Sequence, residues 1–174
     1  MHVYGAYQSQ KVTQLHNEKE GFIIKGFAED VNETLKNYKV CLAALRFGAG
    51  LKGKLIDAMQ NGTPCVMTSI AAEGMFGKQE TNGSIAGDET EFSIKAIELY
   101  TNIENWKTMQ SHGFSVLKNR FNKEHFLENL FTKIDYLVDH LDTHRLQNFT
   151  GAMLQHHSMQ STKYMSKWIE EKNK

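Results

Sequence analysis

The stretch Val40-Cys41-Leu42-Ala43-Ala44-Leu45, continued by Arg46-Phe47-Gly48-Ala49-Gly50-Leu51-Lys52-Gly53-Lys54 and then by Leu55-Ile56-Asp57-Ala58-Met59, decides how this chain is read. Its first part is an unbroken apolar run of strand length. The second is rich in glycine and basic residues. The third resumes apolar residues at helical spacing. Strand, glycine turn and helix in this order build an anion site. The first N–H groups of a helix have no partner within it and sit at the positive end of its dipole. Glycines let a phosphate come close to the backbone, and Lys52 and Lys54 add full charges beside it.

Three ligand readings fit the turn. Gly48, Gly50 and Gly53 match G-x-G-x-x-G, which would open an NAD-binding domain. That reading asks for an acidic residue about 20 positions on, at the end of the next strand. The next strand, residues 64–69, ends in Thr68-Ser69, and Glu73 lies in the loop beyond it. Gly48, Gly53 and Lys54 match most of a Walker A motif, but Leu55 stands where Ser or Thr would hold magnesium. The third reading is a site for the diphosphate of a nucleotide sugar. Against all three stands a tight strand-to-helix turn with surface lysines.

The chain has 174 residues, which sets one domain as the expectation. Apolar residues make up 40%, enough for a core at this length. Twenty acidic and twenty basic residues cancel, which excludes the basic excess of a general nucleic-acid binder. Cys41 and Cys65 both lie in apolar, strand-like runs and read as reduced core residues, without the Cys/His spacing of a zinc site. Met1-His2-Val3-Tyr4-Gly5 lacks the apolar stretch of a signal peptide, and no run reaches the ~18 apolar residues of a membrane span. These features predict a cytoplasmic protein. The single Pro speaks against Pro-rich linkers.

Taken in order, residues 3–7 form a short strand candidate and residues 11–16 a turn or two of helix. Residues 21–27 read as a strand. Asp30 and Glu33 have capping-box spacing and open a helix that runs to about Tyr38. After the strand at 40–45 and the glycine turn, a helix extends to Gln60, with Gly62 closing it as a C′ residue. Residues 64–69 form a buried strand and 84–86 a short last one. Strands alternating with helices over short connections imply a parallel sheet with right-handed crossovers. In such sheets ligands bind at the carboxyl ends of the strands, where the loops after Leu45 and Ser69 both lie. From residue 89 onward the pattern is helical: residues 91–100, then 106–121 with a break expected near Gly113. A stripe follows from Phe126 through Leu130, Phe131, Ile134, Leu137 and Val138 to Leu141, and a last helix spans 152–171. The expectation is one α/β domain over 1–174, with a Rossmann-like parallel sheet in 1–88 flanked by helices and a mainly helical part in 89–174.

Residues 45–75 carry a resemblance. Asp57-Ala58-Met59, Gly62-Thr63-Pro64, Val66, Thr68 and Glu73-Gly74, following the glycine turn, resemble the nucleotide-sugar-binding segment of group 1 glycosyltransferases. The resemblance implies the C-terminal domain of a GT-B enzyme, with two Rossmann-like domains and a cleft between them in the complete protein. It implies that a UDP- or GDP-sugar is the donor, transferred with retention, and that no cofactor or metal is needed. It further implies that the turn at Gly48, Gly50 and Gly53 and its two lysines hold the donor diphosphate and that Asp57 faces the ribose; among the cations, Lys54 is the first candidate for the phosphates, Lys52 the second and Arg46 the third. Thr68 would hydrogen-bond phosphate or cap the next element.

The chain departs from the family pattern in three places. The family usually has Glu where Asp57 stands and a second Glu eight residues earlier, where this chain has Ala49. The role at the sugar would then pass to another carboxylate, for which Glu73 is the catalytic candidate. The family's donor domain also begins with a further strand and helix, and an N-terminal acceptor domain precedes it. The chain is therefore expected to be a fragment of a two-domain enzyme, inactive in isolation, whose final helix would pack on the missing domain. The alternative from another class is a non-catalytic nucleotide-binding or interaction module with the same fold. His140 and His144 have a spacing that can bind a metal, but without a third ligand they read as a solvated face. His156-His157 reads as surface or packing.

Overall fold

The computed structural model describes residues 1–173, and all of their side chains except those of His125 and residues 156–159. It divides into two units, Met1–Asn122 and Lys123–Lys174.

The first unit is α/β. Strands β1 (His2–Tyr4) and β2 (Ile23–Gly26) pair in parallel, with His2 opposite Ile23. Strands β3 (Cys41–Ala43), β4 (Cys65–Thr68) and β5 (Gly83–Ala86) form a second parallel sheet in that order. The strands expected as one sheet are thus hydrogen-bonded in two pieces. Each is also shorter than its apolar run. β3 stops at Ala43 because the Leu45 N–H turns back to the Ala43 carbonyl at 2.9 Å, a three-residue turn that curls the chain out of the ladder.

The core gathers on β4. Cys65, Val66 and Met67 are all inaccessible, as expected of a parallel strand covered on both faces. Helix α3 (Gly53–Gln60) turns Leu55, Ala58 and Met59 inward, at the i, i+3, i+4 spacing of one helical face. The Asn61-Gly62 stop forms as read: Gly62 takes a φ of 65°, which glycine adopts without strain.

Helix α1 (Gln10–Thr13) is a single turn. Helix α2 (Val31–Lys36) has the expected Asp30 cap, whose carboxylate accepts the Glu33 N–H at 3.0 Å. The capping box is one-sided, because the Glu33 carboxylate pairs with Lys36 at 2.7 Å. Helix α4 (Ser69–Ala72) follows β4 directly.

Helices α5 (Glu89–Thr101) and α6 (Ile103–Arg120) belong to the first unit. α5 packs on β4 and β5, and α6 packs on α3. The break expected at Gly113 does not occur. Gly113 is buried and faces Met59 and Asn82, and a Cβ there would lie 3.2 Å from the Asn82 Cβ and 3.3 Å from the Met59 Cγ. The glycine allows close helix approach instead of ending the helix. Two long-range bonds hold α6 in place: Trp106 Nε1 donates to the Lys39 carbonyl at 2.6 Å and Gln110 Nε2 to the Gly62 carbonyl at 2.7 Å.

The second unit consists of α7 (Lys123–Asp139), α8 (Leu141–Gln147) and α9 (Phe149–Lys172). The apolar stripe from Phe126 lies along α7, which ends one residue before His140. Phe126, Leu130, Phe131 and Ile134 are exposed on it, as are Met165, Trp168 and Ile169 on α9. Among the described residues no helix is long and apolar enough to cross a membrane.

Candidate functional site

The turn between β3 and α3 stands at the carboxyl edge of the β3–β4–β5 sheet. Arg46, Phe47, Gly48, Ala49 and Gly50 are all exposed. Gly50 has a φ of 66°, so this position requires the glycine. Lys52 is the N-cap of α3 and places no side chain on the helix N-terminus. The Leu55 N–H turns back to the Lys52 carbonyl at 2.9 Å, so the N–H groups of Gly53 and Lys54 are the ones left to solvent or a ligand.

The two lysines of the turn differ sharply. Lys54 is exposed, whereas Lys52 is only 6% accessible. The Lys52 stem lies beneath the turn, with Gly48 against its Cε. Its ammonium donates to the Gly50 carbonyl at 2.8 Å and stands 4.0 Å from Glu73 Oε2. Its backbone N–H meets the Met75 sulfur at 3.2 Å. A buried cation with one carbonyl and one distant, solvated carboxylate has unused donor capacity, because an ammonium carries three hydrogens.

Glu73 follows α4 and is 73% exposed. Gly74 next to it has a φ of 73°. The Gly74 carbonyl accepts from Arg120 Nη2 at 2.7 Å, and the same guanidinium covers Gly77. Arg120 thus fixes the loop that carries Glu73. Nothing in the sequence pointed to Arg120, which reaches the site across a long stretch of chain and belongs to no local motif; Met75 ends the 45–75 segment, where no pattern marked its sulfur as a partner of the Lys52 N–H.

The remaining predicted residues are placed differently. The Thr68 hydroxyl donates to the Leu45 carbonyl at 2.6 Å and accepts the Ala71 N–H at 3.3 Å. It ties the start of the glycine turn to β4 and caps α4. Asp57 sits half-buried, one turn along α3 from Lys54, and its carbonyl accepts the Asn61 N–H. Both Lys54 and Asp57 act electrostatically on the Cys41 thiol, the first lowering and the second raising its pKa.

The structure therefore brings together Gly48, Gly50, Lys52 and Glu73, with Gly53 opening the adjoining helix. Thr68 serves the scaffold of that edge, and Arg46 lies exposed on the turn. His140 stands at the N-cap position of α8 without a side-chain cap bond; its Nδ1 lies 2.9 Å from the Tyr136 carbonyl and its ring stacks on Tyr136. His144 is a turn further on, within α8. Among the described residues no group of three His, Cys, Asp or Glu side chains is placed to hold a metal. The His156-His157 pair lies outside the described residues.

The family's sequence model, described as group 1 glycosyl transferases, matches residues 1–102, more than half of the 174-residue chain. The protein belongs to that family. An uncharacterized 44.6 kDa protein in the cps region of Klebsiella pneumoniae is 32% identical over 84 residues, which are 48% of this chain and 22% of that protein. Two solved structures share the fold. TarM superposes with a TM-score of 0.62 at 18% identity, over 75% of this chain and 28% of its own. The pneumococcal O-GlcNAc transferase GtfA, solved with UDP and GlcNAc, gives a TM-score of 0.61 at 18% identity, over 79% of this chain and 29% of its own. The chain thus spans less than a third of each of these proteins. The expected α/β, Rossmann-like fold of GT-B type is the fold found.

Proposed function

We propose that this chain is the donor-binding part of a glycosyltransferase and that its β3–α3 turn holds the diphosphate of a UDP- or GDP-sugar. The observation that carries the reading is the buried Lys52 ammonium, poised under a glycine turn at an uncapped helix N-terminus. When the sugar leaves, negative charge builds on the diphosphate. Preorganised N–H donors and a desolvated cation stabilise that charge by several kcal/mol, without reorganisation during the reaction. Lys52 takes the leading role because its low-dielectric setting strengthens its interaction with phosphate. Lys54 and Arg46 add exposed, screened charge. Glu73, facing Lys52, is the candidate carboxylate at the sugar, with Arg120 positioning its loop. Transfer with retention to an acceptor held by a further domain completes the reading for a longer enzyme.

Calorimetric titration with UDP, GDP and NADH side by side tests it. Binding of UDP or GDP, abolished or sharply weakened by Lys52→Met, is expected. Binding of NADH alone, or of neither diphosphate, overturns it. One observation favours the second reading, a binding module without catalysis: Ala49 occupies a position where the resemblance calls for glutamate. Sugar transfer by a longer form of the protein, lost in Glu73→Gln, would exclude that reading.

A further inference from the structure

The chain contains two cysteines, and the β3–β4 ladder sets them directly opposite each other. Cys41 pairs with Cys65 in the parallel register. Neighbouring strands lie about 4.7–4.9 Å apart, within the roughly 4.4–6.8 Å of Cα separation that a disulfide spans. Residues opposite in register project to the same face of the sheet. Both thiols are free.

The two sulfurs differ in access and setting. Cys41 is half-buried at the start of β3, whereas Cys65 is fully buried. The neighbouring Cys65 side chain, first, and the Lys54 ammonium hold the Cys41 thiol below its usual range, against burial and Asp57. Cys65 is held in place by Asn82 Nδ2, which donates to its sulfur at 3.3 Å, while its own thiol faces the Thr63 carbonyl at 3.7 Å. Such an arrangement pairs a part-exposed attacking thiol, packed at the edge of the core, with a fully buried resolving thiol.

We infer that Cys41 and Cys65 form a dithiol site that a low-molecular-weight disulfide of the glutathione class oxidises to an intramolecular disulfide, with Cys41 attacking first. The Cys41 thiolate attacks one sulfur of the disulfide, forms a mixed disulfide and expels one thiolate. Cys65 then attacks the Cys41 sulfur. The Cys41–Cys65 bond forms, the second thiolate leaves, and it takes up the proton that Cys65 loses. Two protein thiols are oxidised and one small disulfide is reduced to two thiols. The product would bridge the two strands that lead into the glycine turn and into Thr68. This inference is independent of the donor-site reading.

The test is incubation of the folded chain with oxidised glutathione, followed by intact-mass measurement and tryptic mapping under non-reducing conditions. Trypsin separates the cysteines into peptides 40–46 and 55–78. The expected product is monomeric, lighter by two hydrogens, and shows these two peptides linked. Cys41→Ser should give no adduct, and Cys65→Ser should stop at a glutathione adduct on residue 41. If Cys65→Ser does not fold, the parent and Cys41→Ser still decide. A lasting glutathione adduct with Cys65 free, a disulfide between two chains, or two unreacted thiols would each overturn the inference.

Discussion

Replacing Lys52 by Met separates the buried cation from its surroundings. Methionine keeps most of the apolar stem that fills the space under the glycine turn, so packing changes little. What is lost is the bond to the Gly50 carbonyl at 2.8 Å and the pairing with Glu73 at 4.0 Å. The Gly50 carbonyl belongs to an exposed residue and can bond to water instead. The Glu73 carboxylate is 73% exposed, so its pairing contributes at most about 1 kcal/mol. Removing the ammonium also removes the cost of desolvating it, and stability should stay within about 1 kcal/mol of the parent. Nucleotide binding responds differently. A charge-assisted bond from a desolvated donor is worth about 1.5–3 kcal/mol, so UDP or GDP affinity should fall roughly 10- to 100-fold. Lys54→Met removes an exposed, screened charge and should cost less than about fivefold, shrinking further as salt rises. Calorimetric titration of both variants at two ionic strengths measures this difference, with urea unfolding as the stability control. A larger loss for Lys54→Met than for Lys52→Met would refute the assignment of the buried lysine to the diphosphate.

Three further predictions follow from particular contacts. A Cβ on Gly83 would lie 1.7 Å from the Cys65 carbonyl oxygen, so Gly83→Ala should force β5 off β4 and destabilise the first unit by about 3 kcal/mol or more; an unchanged urea midpoint would contradict this. Arg120→Ala removes the bond to the Gly74 carbonyl and should cost about 1 kcal/mol, with faster amide exchange confined to residues 73–77; equal exchange there would remove Arg120 from its positioning role. Burial, aided by the hydrogen bond with Tyr4, pushes the Tyr38 phenol up to about 12, against about 10 for a free tyrosine. The folded chain then keeps a proton that the unfolded chain releases, so this contribution to stability is complete below pH ~10 and is lost as pH rises toward the folded value. An ultraviolet difference titration against Tyr38→Phe should place this phenol near 12, and a value near 10 would refute it.

Local patterns in the sequence determined much of this protein. The apolar run at 40–45, the three glycines and the helical spacing after them set a strand–turn–helix, because each signal acts over a few residues of backbone. The Asp30 cap and the Gly62 stop are legible for the same reason: a cap depends on the nearest three or four residues. The motif at 57–74 indicated the family, since it combines a helix, a turn and a strand in one continuous segment. Tertiary structure decided what no local pattern encodes. Lys52 and Lys54 are two residues apart and alike in charge, yet only packing buries the first beneath the turn and leaves the second in water. Gly113 reads as a helix breaker until Met59 and Asn82 are seen to approach it. Arg120 reaches the Glu73 loop from 46 residues away, and Cys41 meets Cys65 only through the register of β3 on β4. Register, burial and long-range approach depend on how separate elements pack together, so they are properties of the folded chain.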